Sequence, residues 1–311
     1  MKNFLEKNLL PIAIVLGIVF HNQLYALSFA TPYLLSLMLF ITYCRISWSS
    51  IKITKFHYIL LGVQYIGSAL IYLAIRPFNE VLAQACMICI LASTATSAPV
   101  VTGLLGGSIS TVAAYSVISN LSIAFIAPLF FSIIGETGKT LSFGASFGYI
   151  FLKVMPILIL PFLASLLVQK TAPKLHRKIA SAQIVSFYLW AVALTIVLGS
   201  VTRFVVSHSS SNFLLEIIIA VSSLLICLLQ FGFGRKIGRK FSFVVAGGQS
   251  LGQKNTILAI WLTQTYLNPI ASLGPGLYVL WQNLINSWQI WHKNRYEENS
   301  KMLSSHAKFK S

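Results

Sequence analysis

Two polar clusters interrupt an apolar sequence, and both carry groups that can bind an anion. The first consists of hydroxyl residues directly ahead of Pro99, namely Ser93, Thr94, Thr96 and Ser97. Proline removes a backbone donor and forces the residue before it out of helical geometry. The second cluster spans residues 247–256, where glycines and amides surround Lys254. Unwound backbone ahead of a helix presents free N–H groups and a positive dipole end, and both attract anions.

Lys254 is the unusual member of the second cluster, because apolar runs flank the cluster on both sides. A lysine at the middle of a membrane-spanning helix costs about 2.5–3.5 kcal/mol on insertion scales, so it is expected to have a role. Here it adds a fixed positive charge. The alternative is that the long side chain reaches the membrane surface or merely satisfies a carbonyl.

Few other residues could carry chemistry. The six acidic residues are all glutamates, and only Glu216 is predicted to lie about one turn inside a span, whereas the others lie at edges or in the tail. An intramembrane enzyme would need paired acids, or a nucleophile with a base, at depth. Cys86 and Cys89 form a C-x-x-C pair with no second pair or histidine, which favours packing over a metal site. We expect no metal and no cofactor.

The amino-acid composition indicates which class of fold holds these clusters in place. Of 311 residues, 56% are apolar and only 9% are charged, whereas soluble domains are near a quarter charged. The chain is therefore expected to be an all-α integral membrane protein. Residues 1–291 are expected to form one transmembrane domain, followed by a cytoplasmic tail at 292–311 that is expected to be disordered. Ten apolar runs predict ten transmembrane helices at 5–21, 25–43, 57–75, 81–107, 109–134, 143–168, 182–206, 212–233, 241–266 and 269–291.

The net charge of +17 is distributed in a way that predicts topology. Eighteen of the 23 basic residues lie on one side of the ten-span layout, three lie on the other (Arg76, Lys139 and Arg203), and Lys153 and Lys254 fall within spans. The positive-inside rule then predicts a protein of the cell membrane with both termini cytoplasmic, and it argues against a nucleic-acid partner. A cleaved signal peptide at the first run is the alternative for the N-terminus.

The two clusters occupy matching places in the layout. Each lies in the fourth span of a group of five, so the fourth and ninth spans are expected to be discontinuous helices. Five is odd, so the second group enters the membrane from the opposite face. This predicts an inverted repeat, residues 1–135 and 136–291, with the discontinuous helices crossing at a midplane site. The alternative is that the small residues serve ordinary close helix packing.

At these residues the chain resembles the bile acid:sodium symporter family of the bile/arsenite/organic-anion transporter superfamily. The resemblance covers nearly the whole chain and rests on residues 102–107 (Thr-Gly-Leu-Leu-Gly-Gly), on Gln64, and on residues 252–255 (Gly-Gln-Lys-Asn) followed by Leu258-Ala259. It implies a core domain of spans 3–5 and 8–10 and a panel domain of spans 1–2 and 6–7.

The sequence departs from the family at the positions that hold sodium. At one site the family's acidic residue and Ser-Asn pair align with Ser250, Ala98 and Pro99. At the other, Gln64 is retained but the second glutamine aligns with Lys254. A lysine at a sodium position suggests that its ammonium replaces the ion by donating to Gln64 and to exposed carbonyls. Whether the lysine stays charged or exchanges a proton is left open.

The expected function is therefore secondary transport of a small organic anion by alternating access, without a requirement for sodium. A receptor or scaffold that kept the fold is the first alternative, and an intramembrane enzyme the second. The residues expected to bind substrate or to form the crossing are Thr94, Thr96, Ser97, Pro99, Thr102, Ser116, Asn255 and Thr256. The former sodium positions are Gln64, Ala98, Pro99, Ser250 and Lys254.

Overall fold

A computed structural model describes residues 2–46, 51–135, 141–208 and 213–308. Lys139 and the last three residues of the tail lie outside these ranges. The described helices are α1 (Lys2–Val19), α2 (His21–Ala26), α3 (Thr31–Arg45), α4 (Lys55–Ile75), α5 (Glu80–Leu91), α6 (Ala98–Leu104), α7 (Ile109–Ile134), α8 (Phe143–Thr171), α9 (Pro173–Ser181), α10 (Gln183–His208), α11 (Phe213–Lys240), α12 (Val244–Gly252), α13 (Thr256–Tyr266) and α14 (Leu273–Lys308). Two short 3-10 turns, Ser28–Ala30 and Pro269–Ser272, complete the described elements.

The helices have the length and composition of a membrane protein. Among the described residues, five helices are long and apolar enough to cross a bilayer, and these are α4, α7, α8, α10 and α11. No named β-strand occurs in the described ranges. The chain is therefore an all-α membrane protein, as the composition predicts.

Three boundaries differ from the expected spans. The run expected at 25–43 is divided into α2, a 3-10 turn and α3, and Pro32 lies at the start of α3, where a missing backbone donor is tolerated. Residues 173–181, expected in a loop, form the cationic helix α9. The last helix continues to Lys308 through most of the tail that we expected to be disordered. From His292 onward the sequence has no glycine or proline that would end a helix.

Packing divides the helices into two groups that meet around the polar clusters. Helices α4–α7 and α11–α14 pack around the two interruptions, whereas α1, α2 and α10 pack mainly on one another. Helix α3 packs on α8 and α10, and α8 packs on α3 and α7. The groups share one hydrophobic core, with buried residues from both sides such as Leu35, Leu39, Leu194, Met87 and Leu258. Helix α13 contacts both α3 and α10.

Helices α11 and α12 form a hairpin whose backbones touch. A Cβ added at Gly234 would lie 2.1 Å from the carbonyl oxygen of Gly247, and a Cβ added at Gly247 would lie 2.1 Å from the carbonyl oxygen of Gly234. No other residue type fits at either position without moving a helix. The hairpin therefore brings α12, and the polar cluster at its end, directly against α11.

Candidate functional site

Both polar clusters are interruptions between two helical segments. The first separates α5, which ends at Leu91, from α6, which begins at Ala98 with Pro99 in its first turn. The second separates α12, which ends at Gly252, from α13, which begins at Thr256. Proline in the first case, and a glycine-rich stretch in the second, are the local features that disfavour a continuous helix.

The two interruptions cross and bond to each other. Thr94 and Lys254 form an antiparallel bridge, although 160 residues separate them in the numbering. The Ala95 amide donates to the Gln253 carbonyl at 2.9 Å, and the Asn255 amide donates to the Ser93 carbonyl at 2.8 Å. Each interruption thus satisfies buried backbone groups of the other, which unwound chain needs at membrane depth.

The Lys254 side chain holds the end of α5. It is only 1% exposed, and its Nζ donates to the carbonyl oxygen of Ile90 at 2.8 Å. Gln64 holds the next two carbonyls, because its Nε2 donates to Leu91 at 2.8 Å and to Ala92 at 3.1 Å. Three consecutive carbonyls that α5 leaves without helical partners are therefore bonded by side chains from α4 and from the opposite interruption.

The bond expected between Lys254 and Gln64 is not formed among the described residues. The Gln64 oxygen instead accepts from the Tyr115 hydroxyl at 2.6 Å. The Gln64 oxygen is thus bonded to a tyrosine and not to the ammonium. Lys254 and Gln64 therefore act side by side on one helix end and do not contact through a hydrogen bond.

Helix α7 supplies a second set of polar contacts to the crossing. Asn120 accepts from the Ser93 hydroxyl at 2.8 Å and donates to the Thr94 carbonyl at 3.3 Å. The Thr94 amide donates to the Ser119 hydroxyl at 3.2 Å, and the Thr94 hydroxyl donates to the Ser250 carbonyl at 2.6 Å. These bonds fix the first interruption between α7 and α12.

Helix α14 supports the second interruption from the other side. Gln282 accepts from the Lys254 amide at 2.7 Å and donates to the Lys254 carbonyl at 3.3 Å. One turn further along α14, Asn286 accepts from Gln249 at 2.9 Å. Amide side chains in membrane helices commonly form such hydrogen bonds between helices. Asn283 differs, because it donates to the carbonyl of Val279 in its own helix.

A cavity of about 270 Å³ lies beside the crossing, where α13 meets α3 and α10. One wall comes from the interruptions and the helices that follow them. The opposite wall includes Met38, Phe187 and Trp190, and the two aromatic rings stack with centroids 5.8 Å apart. The lining residues are Met38, Thr42, Arg45, Ala95, Thr96, Ser97, Val100, Val101, Ser186, Phe187, Trp190, Gln253, Lys254, Asn255, Thr256, Ile257, Gln282 and Asn283.

The cavity combines polar groups with an apolar surface formed by Met38, Phe187 and Trp190, and its charged residues are basic. The described lining contains no acidic residue and contains Arg45 and Lys254. Arg45 is exposed, whereas the Lys254 ammonium is bonded to Ile90, which does not line the cavity. The accessible cation of the cavity is therefore Arg45. This arrangement suits an anion that carries an apolar body.

Half of the residues expected at the site line the cavity. Thr96, Ser97, Asn255 and Thr256 do so, and Gln253 adds a bond from its Nε2 to the Ser97 hydroxyl at 2.9 Å. The Asn255 side chain also caps α13 by accepting from the Leu258 amide at 3.2 Å. The other four residues, Thr94, Pro99, Thr102 and Ser116, do not line the cavity.

Those four residues serve the crossing or the helices beside it. Thr94 forms the bridge, and Pro99 lies in the first turn of α6. Thr102 is buried and donates to the Ala98 carbonyl of its own helix at 2.8 Å. The Ser116 carbonyl accepts from the Asn120 amide at 2.7 Å, which orients Asn120 toward Thr94.

The residues that the resemblance aligns with sodium sites offer few oxygens for an ion. Ala98 and Pro99 have no side-chain oxygen, and the Ser250 hydroxyl is buried without a hydrogen-bond partner among the described residues. At the second position, the Gln64 oxygen is already bonded to Tyr115 and Lys254 carries an ammonium. The described residues contain no group of three or more His, Cys, Asp and Glu side chains that could hold a metal. The cysteines Cys86 and Cys89 are buried free thiols that pack with Cys227 and Tyr278.

Sequence reasoning missed the wall formed by α3 and α10. From the sequence, Arg45 is a basic residue just after the span at 25–43, and Phe187 and Trp190 belong to the apolar run at 182–206. Their role depends on which helices contact α13, and no local pattern in the sequence specifies that contact. Gln253 could have been found, since it belongs to the second polar cluster.

Comparison with known proteins gives no assignment. No protein-family model matches the chain, and no curated protein matches it.

Proposed function

We propose that this chain is a secondary transporter of a small organic anion, similar to the bile acid:sodium symporters. The observation that carries the proposal is the cavity beside two interrupted helices that cross and bond to each other. Unwound backbone inside a membrane protein is tolerated where it is buried or lines an aqueous cavity, and such crossings build the substrate sites of many carriers.

The charge of the cavity supports an anionic substrate. The described lining has two basic residues and no acid, so a carboxylate or sulfate is favoured over an amine. Arg45 can bond two oxygens of such a group at once because its guanidinium is planar. The aromatic wall of Phe187 and Trp190 would contact the apolar part of the molecule. An exposed Arg45 and an exposed Ser97 suggest that the cavity is open to the side that carries most of the basic residues.

The contacts of Lys254 support transport without sodium. Its ammonium already donates to the Ile90 carbonyl beside the two carbonyls that Gln64 holds. A sodium ion near the same carbonyls would be repelled by that charge, and low dielectric strengthens the repulsion. A coupling ion shifts a conformational equilibrium only through a difference in its affinity for the two states. With the ion's place taken by a tethered cation, no such difference is available.

The topology belongs to the same proposal. Ten spans in two inverted groups of five, with both termini on the cytoplasmic side of the cell membrane, fit the distribution of basic residues. One hydrogen bond runs from the Ala95 amide to the Gln253 carbonyl, and its counterpart runs from the Asn255 amide to the Ser93 carbonyl. A twofold axis through the crossing would relate these two bonds. A core domain and a panel domain would then move against each other around the cavity.

The test begins with binding. Thermal unfolding of the purified full chain is measured with a panel of organic carboxylates and sulfates and with amines of matched size. We expect anions to raise the unfolding midpoint and amines to leave it unchanged. A panel in which only amines raise the midpoint overturns the assignment of an organic anion.

Uptake then separates a carrier from a receptor. The anion with the largest thermal effect is labelled and offered to proteoliposomes, with sodium or with choline in the external buffer. We expect equal saturable uptake in both buffers, and loss of uptake in Lys254→Gln. Binding without uptake would indicate a receptor, and strong saturable stimulation by sodium would overturn the substitution of the ion by Lys254.

A further inference from the structure

A second recess, separate from the cavity, lies at the end of the molecule that carries most of the basic residues. It has a volume of about 280 Å³ and is formed where α6, α11, α12 and α14 converge. We call it the basic groove, and it is lined by Leu105, Arg235, Val245, Trp288, Gln289, His292 and Lys293.

Two basic residues, Arg235 and Lys293, line the groove. Arg235 Nη2 donates to the Gln289 side-chain oxygen at 2.8 Å, and Lys293 Nζ donates to the Leu104 carbonyl at 2.9 Å, at the end of α6. Both residues are half-buried, and the described lining includes no acid. Arg235 is oriented by an amide that adds no charge, so its positive charge is presented to the groove. A recess with this lining favours an anion with several acceptor oxygens.

An apolar strip leads from the groove along α14. Leu284, Trp288 and Trp291 are 61%, 58% and 54% exposed, and their spacing of four and three residues places them on one face of the helix. In a membrane protein, large apolar side chains exposed on one face of a helix are suited to contact with lipid. Tryptophans are enriched where a span meets the headgroup region, since their rings are amphipathic. The groove and the strip therefore share Trp288 as a common border.

We propose that the basic groove binds the headgroup phosphate of an anionic phospholipid, whose acyl chains follow the strip of Leu284, Trp288 and Trp291. Basic recesses between membrane helices are suited to such headgroups. The phosphate would bridge the C-terminal part of α11 and the middle of α14, and it would lie against α6 and α12, the helices next to the two interruptions. A free inorganic phosphate has the same oxygens but no chains for the strip, so it would bind more weakly.

The test uses the full chain purified in neutral detergent. Its thermal midpoint is measured with added phosphatidylglycerol, phosphatidylcholine or inorganic phosphate, and lipid retention is measured by native mass spectrometry. We expect phosphatidylglycerol alone to raise the midpoint and to be retained. The double variant Arg235→Gln with Lys293→Gln should lose both effects, with each single change weakening retention about fivefold.

The matched control removes the same charge from the same end of the molecule. Lys236 and Arg239 are exposed on α11 and do not line the groove, so Lys236→Gln with Arg239→Gln should keep the phosphatidylglycerol effect. If both double variants lost the phosphatidylglycerol effect equally, the effect would depend on surface charge in general, and the proposed site would be overturned. An equal effect of inorganic phosphate, or equal retention of both lipids by the native chain, would overturn it as well. The last measurement needs no variant, so it decides the matter even if the double variant fails to fold.

Discussion

Lys254 donates its ammonium proton to the carbonyl oxygen of Ile90, a residue 164 positions away, at 2.8 Å. The backbone of Lys254 pairs at the same point with Thr94. One residue therefore joins the two interrupted helices through both its main chain and its side chain. Through this bond the Lys254 side chain ties the second interruption to the end of α5.

The first prediction concerns the cost of this lysine. Burying an ammonium costs several kcal/mol, and no described acid pairs with it, whereas its one charge-assisted hydrogen bond returns only about 1.5–3 kcal/mol. Lys254→Met keeps the volume and removes the charge but leaves the Ile90 carbonyl without its donor, so we expect a thermal midpoint close to that of the native chain while uptake is lost. Lys254→Ala leaves a cavity and should unfold at a lower temperature. A methionine variant that unfolds well below the native chain would make the lysine a structural residue.

The second prediction concerns the neighbouring pair, Gln64 and Tyr115. Tyr115→Phe removes one donor and should destabilise by about 1 kcal/mol, whereas Gln64→Leu leaves two carbonyls without their donor and should cost more. The double variant should cost less than the sum, since the two residues share one bond. Unfolding of all three variants is compared with Tyr58→Phe, an exposed tyrosine on the same helix α4, which should behave like the native chain. Additive losses would show that the two side chains do not act together.

Much of this site could be predicted because its causes are local. Pro99 disfavours the helical conformation before it, and α12 ends at Gly252 although it contains Gly247 and Gly248, so both interruptions lie where the sequence predicts them. Of the two hydrogen-bond partners expected for the Lys254 ammonium, only one is found. A carbonyl was expected, and Ile90 provides one, but Gln64 was also expected. The sequence does not reveal that Tyr115 and two carbonyls already occupy the amide of Gln64.

The third prediction concerns the glycine contact between α11 and α12. Gly234→Ala would place a Cβ 2.1 Å from the Gly247 carbonyl oxygen, so the hairpin must separate, at a cost of about 1–3 kcal/mol or more. Gly232 lies on the same helix, and a Cβ there meets no atom within 4 Å. Gly232→Ala should stabilise the helix by about 0.5–1 kcal/mol. The measurement is the thermal midpoint of each variant. Equal midpoints for the two would mean that the backbones do not touch.

The fourth prediction uses neighbouring residues on opposite sides of the cavity wall. All four described native cysteines are buried, so a water-soluble maleimide should leave the folded chain unlabelled. Ser97 is exposed and lines the cavity, whereas Ala98 is 0% exposed. Cysteine at position 97 should label rapidly and be protected by the bound anion, and cysteine at position 98 should label only after denaturation. Rapid labelling at both positions would contradict the geometry of the first interruption.

The cavity wall shows where prediction from sequence ends. Arg45, Phe187 and Trp190 gain their role from the contacts of α3 and α10 with α13. Those contacts join parts of the chain that are far apart, and each of the three helices looks like an ordinary span by itself. The first cluster could therefore be assigned to the site, but the surface facing it could not.

The contact between Gly234 and Gly247 also limits how the molecule can deform. Two backbones that touch without intervening side chains have nothing between them that can compress or reorient, so sliding would drive a carbonyl into the opposite helix. Helices α11 and α12 should therefore move together as one rigid body. One end of this pair lies at the basic groove and the other lies beside Lys254, so a displacement at the groove would be transmitted to the crossing of the two interruptions.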